Sequence, residues 1–147
     1  MANRQRQADE SHGKAVMGLI HRVTARNTER PTLELNVRQR LVIQALGLEG
    51  SRPIAAIGQQ LGFTPSTMTG LVDRLEEQGL LRRQRHPSDR RATVLRLTSK
   101  GETAFRREVD FYRALVNETL AAIEESAKRV VLDALSHLGR TSPAAAA

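Results

Sequence analysis

A strong helix signal lies between residues 64 and 79 of this chain. Thr64 is a favoured N-cap residue, and Pro65 follows at the first helical position, where its missing N–H costs nothing. Apolar residues then recur at the i, i+3, i+4, i+7 spacing of one helix face: Met68, Leu71, Val72 and Leu75. Gly79 suits the left-handed residue that ends a helix. The sequence therefore predicts a helix over 64–78 with one buried face.

A shorter helix is predicted immediately before this one. Pro53 suits its first turn and Gly62 its end, and its inner face is formed by Ile54, Ile57 and Leu61. Only Gly62, Phe63 and Thr64 separate the two helices. Two short helices joined by so tight a turn predict a helix-turn-helix, with 64–78 as its second helix.

After residue 81 the pattern changes from helical to extended. Residues 81–85 and 92–97 read as two strands of a hairpin, and Pro87 and Asp89 are turn formers in the loop 86–90 between them. A hairpin that directly follows a helix-turn-helix forms a wing. The predicted fold class is therefore mainly α with a small β-wing (α+β), a winged helix-turn-helix.

Four further helices are predicted around this lobe. Asn36 is a plausible N-cap for a helix through about Leu48, and Thr98 or Ser99 starts a long helix, with Ser99 forming a capping box with Glu102. Ser126 caps a last helix that Gly139 stops. The first helix covers about 11–27. Each of the four helices has one apolar stripe. In chain order the stripes are Ala15, Val16, Leu19, Ile20 and Val23; Leu41, Val42, Ala45 and Leu46; Phe105, Val109, Tyr112, Val116, Leu120 and Ile123; and Val130, Val131, Ala134, Leu135 and Leu138.

The net charge of +7 is concentrated in the predicted wing. Residues 80–100 hold seven basic side chains and one acid, Asp89, whereas the remaining 126 residues hold 16 basic and 15 acidic ones. A charge this localised favours a polyanionic partner. A solvated basic loop is the alternative. We expect Asp89 to orient an arginine or the hairpin by ion pairing.

The outward face of the 64–78 helix is small and polar, which suits a helix that enters the major groove of DNA. Small side chains let the backbone approach base edges, and the amides at the helix start can meet a phosphate. The alternative is that any amphipathic helix needs some polar face. A basic hairpin tip beside such a helix can enter the minor groove. The predicted DNA-binding residues are Ser66, Thr67, Thr69, Gly70, Arg74, Arg83, Arg85, Arg90 and Arg91.

Composition excludes several other classes. The chain has no cysteine, which excludes disulfides, thiolate metal sites and thiol chemistry. The polar N-terminus and the absence of a long apolar run argue against a signal peptide or a membrane span, so a cytoplasmic protein is expected. The histidines are scattered, no catalytic pairing or phosphate loop is visible, and we predict no metal, no cofactor and no enzymatic activity.

Several motifs together resemble the multiple antibiotic resistance regulator (MarR) family. The wing segments 79–83, 87–91 and 95–101 match its Asp-x-Arg pattern followed by Leu-Thr-x-x-Gly at the start of the next helix, here Leu97, Thr98 and Gly101. Segments 54–62 and 66–75 are similar to the family's helix-turn-helix. The resemblance covers about residues 11–140.

The resemblance implies a homodimer that binds a pseudo-palindromic DNA operator and usually represses until a small ligand releases it. It maps Arg91 to the wing arginine of the minor groove and Arg90 to a backbone contact. The helices at 11–28, 98–125 and 126–139 would interlock between chains. The expected organisation is a disordered arm at 1–10, a dimerisation helix and linker at 11–35, the winged helix-turn-helix at 36–97, dimerisation helices at 98–140 and a disordered tail at 141–147.

The resemblance also implies a ligand pocket between the dimerisation helices and the DNA-binding lobe, although no motif names the ligand. His12, His21 and Tyr112 are the residues that could lie near it. For each of them, ordinary surface exposure or helix packing is the competing interpretation.

The sequence is compatible with three functions. The first is a ligand-responsive transcriptional regulator. The second is an architectural DNA-binding protein, whose basic wings bind with little sequence preference. The third, an enzyme that uses a winged helix for protein interaction, has no motif in its favour.

Overall fold

A computed structural model describes residues 2–28, 35–85, 93–121 and 123–139 of the chain. The elements are, in order, α1 (Ala2–Thr28), α2 (Val37–Glu49), β1 (Arg52–Pro53), α3 (Ile54–Leu61), α4 (Pro65–Glu77), β2 (Leu81–Arg85), β3 (Thr93–Leu97), α5 (Ser99–Thr119) and α6 (Glu125–Leu138). The fold is mainly helical with a three-stranded antiparallel sheet. The chain divides into two compact units between residues 34 and 35. The expected tail at 141–147 lies outside the described residues.

The structure confirms the predicted helix-turn-helix. The Thr64 hydroxyl caps α4 by accepting from the Thr67 backbone N–H at 3.3 Å, and Gly62 takes the left-handed conformation that closes α3 (φ 67°). Gly79 has the same conformation after α4 (φ 68°). Met68, Leu71, Val72 and Leu75 are all buried, and the last two are 0% exposed. The inward face of α4 therefore has the predicted register.

The sheet contains one strand that the sequence analysis missed. The missed strand is β1. The strand order of the sheet is β1-β3-β2, and Arg52 and Pro53 of β1 pair with Leu95 and Val94 of β3. The prediction that Pro53 lies in the first turn of α3 was wrong, because its backbone is extended (ψ 142°) and it precedes the helix. A proline is tolerated here because β1 is an edge strand, where an N–H is not needed for the next ladder.

Helix α2 lies at the centre of the second unit. It begins with a capping box, in which Asn36 and Gln39 each accept a hydrogen bond from the other's backbone N–H, at 3.0 and 2.9 Å. The helix packs against α3, α4, β3 and α5, so it buries a wider face than a single stripe. Ile43 is fully buried, whereas Leu41, which was predicted to be inside, is 36% exposed.

Helix α5 buries a wider face than the predicted stripe. Of that stripe, Leu120 is buried, and Phe105, Tyr112 and Val116 are half-buried. Its buried residues are Gly101, Ala104, Glu108 and Leu115, while Val109 is 46% exposed and Ile123 lies beyond the end of the helix. The Gln44 side chain donates a 2.7 Å hydrogen bond to the buried Glu108 carboxylate. The N-cap is Thr98, so the predicted capping box of Ser99 and Glu102 was wrong. The small buried residues Gly101 and Ala104 allow close packing at the start of α5.

The two terminal helices start earlier than predicted. Residues 2–10 belong to α1, where the sequence predicted a disordered arm, and a Glu10–Lys14 ion pair at 2.6 Å lies on this helix. Glu124, and not Ser126, is the N-cap of α6. Helix α6 has no buried residue, so its apolar side chains, including Val130 and Leu135, are exposed in the single chain. None of the described helices is both long enough and apolar enough to cross a bilayer.

Candidate nucleic-acid interface

The outward face of α4 brings together most of the predicted recognition residues. Ser66, Thr69, Gly70 and Arg74 are exposed on it, on the side opposite the buried stripe. A Cβ built on Gly70 would have no atom within 4 Å, so the α4 backbone is open to an approaching partner at this position. A helix with a low, polar outer face can approach base edges in the major groove closely.

The hydroxyl groups at the start of α4 already have intrahelical partners. Thr67 is half-buried and its Oγ1 lies 2.9 Å from Thr64 Oγ1, while the Thr69 hydroxyl donates to the Pro65 carbonyl at 3.0 Å. Thr67 therefore serves the cap more than the outer face. Thr69 has its donor engaged, which leaves its methyl group and its oxygen lone pairs available to a partner.

Arg83 was predicted to contact DNA, but in the structure it bonds to two carboxylates of α4. Its Nη2 donates to Asp73 Oδ1 at 2.6 Å, its Nη1 donates to Glu76, and its backbone N–H donates to Glu76 Oε1 at 3.0 Å. The side chain is 32% exposed. The hydrogen bond to Asp73 and the interactions with Glu76 raise the pKa of Arg83 against the opposing effect of burial. Arg83 therefore joins the base of the wing to α4.

Successive side chains along a strand lie on opposite faces of the sheet, so the wing has two distinct faces. Arg83 pairs across the sheet with the buried Leu95 on the face toward α4, whereas Arg82 pairs with Arg96 on the opposite face. Arg85 is exposed at the end of β2, opposite Thr93. The predicted wing-tip residues Asp89, Arg90 and Arg91 lie outside the described residues.

A set of hydrogen bonds joins the end of α4 to the start of α5. This α4–α5 junction was not predicted from the sequence. The Thr98 hydroxyl donates to the Gly79 carbonyl at 2.6 Å, the Thr98 N–H donates to the Leu80 carbonyl at 3.1 Å, and Lys100 Nζ donates to the Gln78 carbonyl at 2.8 Å. At Gly101 a Cβ would overlap the Leu80 carbonyl oxygen. These contacts give a physical reason for the Leu-Thr-x-x-Gly motif, since only glycine allows so close an approach.

The predicted ligand residues are distributed over both compact units. His12 and His21 belong to α1, where His21 is exposed, and Tyr112 belongs to α5. Tyr112 is half-buried and stacks edge-to-face with Phe111, with ring centroids 5.3 Å apart. This contact matches the packing interpretation of Tyr112. Among the described residues no group of three or more His, Cys, Asp or Glu side chains could hold a metal ion.

The sequence is similar to several known regulators. The model of the MarR family matches residues 35–93. The HTH-type transcriptional regulator YfiV of Bacillus subtilis is 30% identical over 74% of this chain and 68% of YfiV. FarR of Neisseria gonorrhoeae is 31% identical over 78% of each chain. The transcriptional repressor MdtR of Bacillus subtilis is 30% identical over 59% of this chain and 56% of MdtR.

The fold is similar to that of solved regulators. FabT of Streptococcus pneumoniae, solved in complex with DNA, superposes with a TM-score of 0.69 at 22% identity, covering 88% of this chain and 93% of FabT. PcaV of Streptomyces coelicolor, solved with its natural ligand, has a TM-score of 0.54 at 27% identity over 82% of this chain and 88% of PcaV. Together with the helix-turn-helix and its wing, these similarities show that the chain belongs to the MarR family of DNA-binding, HTH-type transcriptional regulators.

Proposed function

We propose that this protein is a homodimeric, sequence-specific repressor that binds a pseudo-palindromic operator and is released by a small molecule. In each protomer α4 lies in the major groove, with Arg74 and the small face around Gly70 toward the bases. The wing then lies over the adjacent minor groove with Arg90 and Arg91 at its tip. Arg85 contacts the DNA backbone from the wing strand, and Asp89 orients the tip.

The observation that carries this proposal is the contrast between the two faces of α4. One face has Val72 and Leu75 fully buried, and the other exposes small polar residues with open space above Gly70. A helix held rigidly by its inner face can present the outer face in a fixed geometry, which base recognition requires. The local excess of six positive charges in residues 80–100 supports a phosphate-rich partner, although Arg83 is engaged with Asp73 and Glu76.

Dimer formation is supported by the apolar surface that the second unit leaves exposed. On α6 alone, Val130 is 68% exposed, Leu135 46% and Leu138 64%. Val109 on α5 and Ile123 between the two helices are also exposed. An apolar helix face that is left in water favours association with another chain. A second copy is the natural partner because a two-fold dimer presents two α4 helices to the two halves of a palindrome.

Repression and release are supported by two relatives of known type. MdtR is named a repressor, and PcaV has been solved with its natural ligand. A dimer seated on an operator can block transcription by occupying the site. A ligand that favours another arrangement of the two α4 helices would lower its affinity for DNA.

Selection of genomic fragments by the full-length protein tests this proposal. We expect enrichment of a few fragments that share an inverted repeat with half-sites about one helical turn apart. Enrichment of fragments with no common sequence would contradict the regulator and would favour an architectural DNA-binding protein. Failure to retain any DNA at moderate salt would contradict both.

A further inference from the structure

We propose that Thr69 on α4 reads a thymine in the major groove, and that it does so through its side-chain methyl group and not through its hydroxyl. Its role as a base-reading residue rests on the proposed function, whereas the group that makes the contact follows from the bonding of the side chain. Thr69 is exposed in the first half of α4, on the face opposite the buried stripe.

The hydroxyl of Thr69 is committed to the helix itself. It donates to the Pro65 carbonyl at 3.0 Å, one turn back toward the start of α4. A threonine hydroxyl has a single hydrogen to donate, so Thr69 has no donor left for the acceptor atoms on the base edges. Its oxygen is turned back along the helix toward the same carbonyl. The methyl group is therefore the group that Thr69 presents outward.

The surface around Thr69 allows so short a group to reach a base. Gly70 follows it, and a Cβ built on Gly70 would have no atom within 4 Å. Ser66, one turn earlier on the same face, is also small. Bulky neighbours would hold the helix away from the groove floor, and these residues do not. Of the four bases, thymine alone offers a methyl group in the major groove, and an apolar contact with that group is the favourable one.

An acid lies one turn after Thr69, but it is engaged elsewhere. A free carboxylate at this position could accept a hydrogen bond from the amino group of cytosine. Asp73 Oδ1 instead accepts from Arg83 Nη2 at 2.6 Å, which holds the carboxylate toward strand β2. Thr69 is then the side chain that distinguishes thymine from cytosine at this point of the helix.

Thr103 on α5 provides a matched control for the hydroxyl. Its side chain is also exposed, and its hydroxyl donates to the Ser99 carbonyl at 3.0 Å, in the same one-turn arrangement. The intrahelical bond alone is thus ordinary for an exposed helical threonine. What distinguishes Thr69 is its position on α4 beside the open backbone of Gly70.

Replacement of single thymines by deoxyuridine in a selected operator tests the contact, because this change removes only the methyl group of the base and leaves base pairing intact. We expect one thymine position in each half-site at which the wild-type protein binds the deoxyuridine duplex about fourfold more weakly, the equivalent of one buried methyl group. Fluorescence anisotropy at one salt concentration measures this ratio.

Two substitutions at Thr69 separate the methyl group from the hydroxyl. Thr69→Val keeps the methyl group and removes the hydroxyl, so it should retain the fourfold ratio. Thr69→Ser keeps the hydroxyl and removes the methyl group, so it should bind the two duplexes alike. Thr103→Ser makes the same change on α5 and should retain the ratio of the wild-type protein.

Three results would overturn the thymine contact while sequence-specific binding stands. The first is equal wild-type affinity for the thymine and deoxyuridine duplexes at every position. The second is a Thr69→Ser protein that still discriminates, because another residue would then read the methyl group. The third is a Thr69→Val protein that no longer discriminates, because the hydroxyl would then carry the contact. If no operator can be selected at all, the proposed function fails and Thr69 reads no base.

Discussion

Arg83 Nη2 on strand β2 donates a 2.6 Å hydrogen bond to Asp73 Oδ1 on α4, so the wing and the DNA-binding helix are joined by a charged pair. Glu76, one turn further along α4, accepts from both the side chain and the backbone of Arg83. A forked guanidinium held by two carboxylates has little orientational freedom. The angle between α4 and the wing is therefore fixed at the base of the hairpin, and the two elements that we propose contact DNA are presented as one unit.

Arg83→Gln should lower both stability and operator affinity. The substitution removes the charge that pairs with Asp73 and Glu76, and we expect a loss of about 1–2 kcal/mol in the free energy of unfolding, since the network is partly exposed. The affinity for the operator should fall by more than the loss of stability explains, because the wing is no longer aligned with α4. Chemical denaturation and fluorescence anisotropy with an operator duplex measure the two effects.

Arg82→Gln is the matched control for this experiment. Arg82 is the adjacent residue on the opposite face of the same strand, where it faces Arg96 across the sheet. Removing one of two like charges that lie opposite each other should leave stability unchanged or slightly increased. Equal effects of the two substitutions on operator affinity would show that Arg83 acts only through its charge.

Gly70→Ala should stabilise the fold while it weakens DNA binding. A Cβ at Gly70 meets no atom within 4 Å, and alanine in a helix interior is favoured over glycine by up to about 1 kcal/mol. The added methyl group lies on the face that we propose approaches the bases. Gly13→Ala, in α1 and equally without neighbours, should stabilise without loss of affinity. Unchanged operator affinity in Gly70→Ala would mean that α4 does not approach the DNA closely at this position.

Gly101→Ala should have the opposite effect on stability, although it is also a glycine-to-alanine change in a helix. Its Cβ would overlap the Leu80 carbonyl oxygen, which belongs to the backbone and cannot move aside without disturbing the end of α4. We expect a loss of about 1–3 kcal/mol, as for other overpacked sites. Thermal denaturation of Gly101→Ala and Gly70→Ala measures this difference in stability. A stabilised Gly101→Ala protein would show that the α4–α5 junction is not closely packed.

The sequence predicted those parts of the fold that are encoded locally. The caps at Thr64 and Asn36 and the left-handed glycines act on neighbouring residues, so their meaning does not depend on the rest of the chain. Strand β1 was missed because two residues carry no periodicity, and its existence depends on pairing with β3, some 40 residues later.

The candidate site was predictable to a different degree on each of its elements. The exposed residues of α4 could be named from the sequence, because they are the residues that remain when the buried stripe is removed from the helix. The role of Arg83 could not, because it depends on which face of β2 meets Asp73 and Glu76. Acids at i and i+3 on α4, followed by an arginine on the next strand, are a signal that could have indicated this pairing. The predicted inner face of α5 was incomplete, because the small residues Gly101 and Ala104 are buried beside the apolar stripe.

Removal of residues 126–147 should abolish the dimer, because α6 exposes its apolar residues in the single chain. Light scattering should then report a monomer or aggregates. Removal of residues 141–147 alone is the control and should leave the dimer intact. Leu135→Lys provides a second variant, since this side chain is 46% exposed and its replacement should not disturb the fold of one chain. A stable dimer in both the truncated protein and Leu135→Lys would contradict the role of α6.

The most direct test of sequence-specific recognition is the ratio of affinities for the selected palindrome and for a scrambled duplex of the same length and composition, measured at one salt concentration by anisotropy. The proposed regulator should bind the palindrome at least about a thousandfold more tightly, as specific DNA-binding proteins do. Arg91→Ala should reduce this ratio while the dimer persists. Equal affinity of the wild-type protein for both duplexes would contradict sequence-specific regulation.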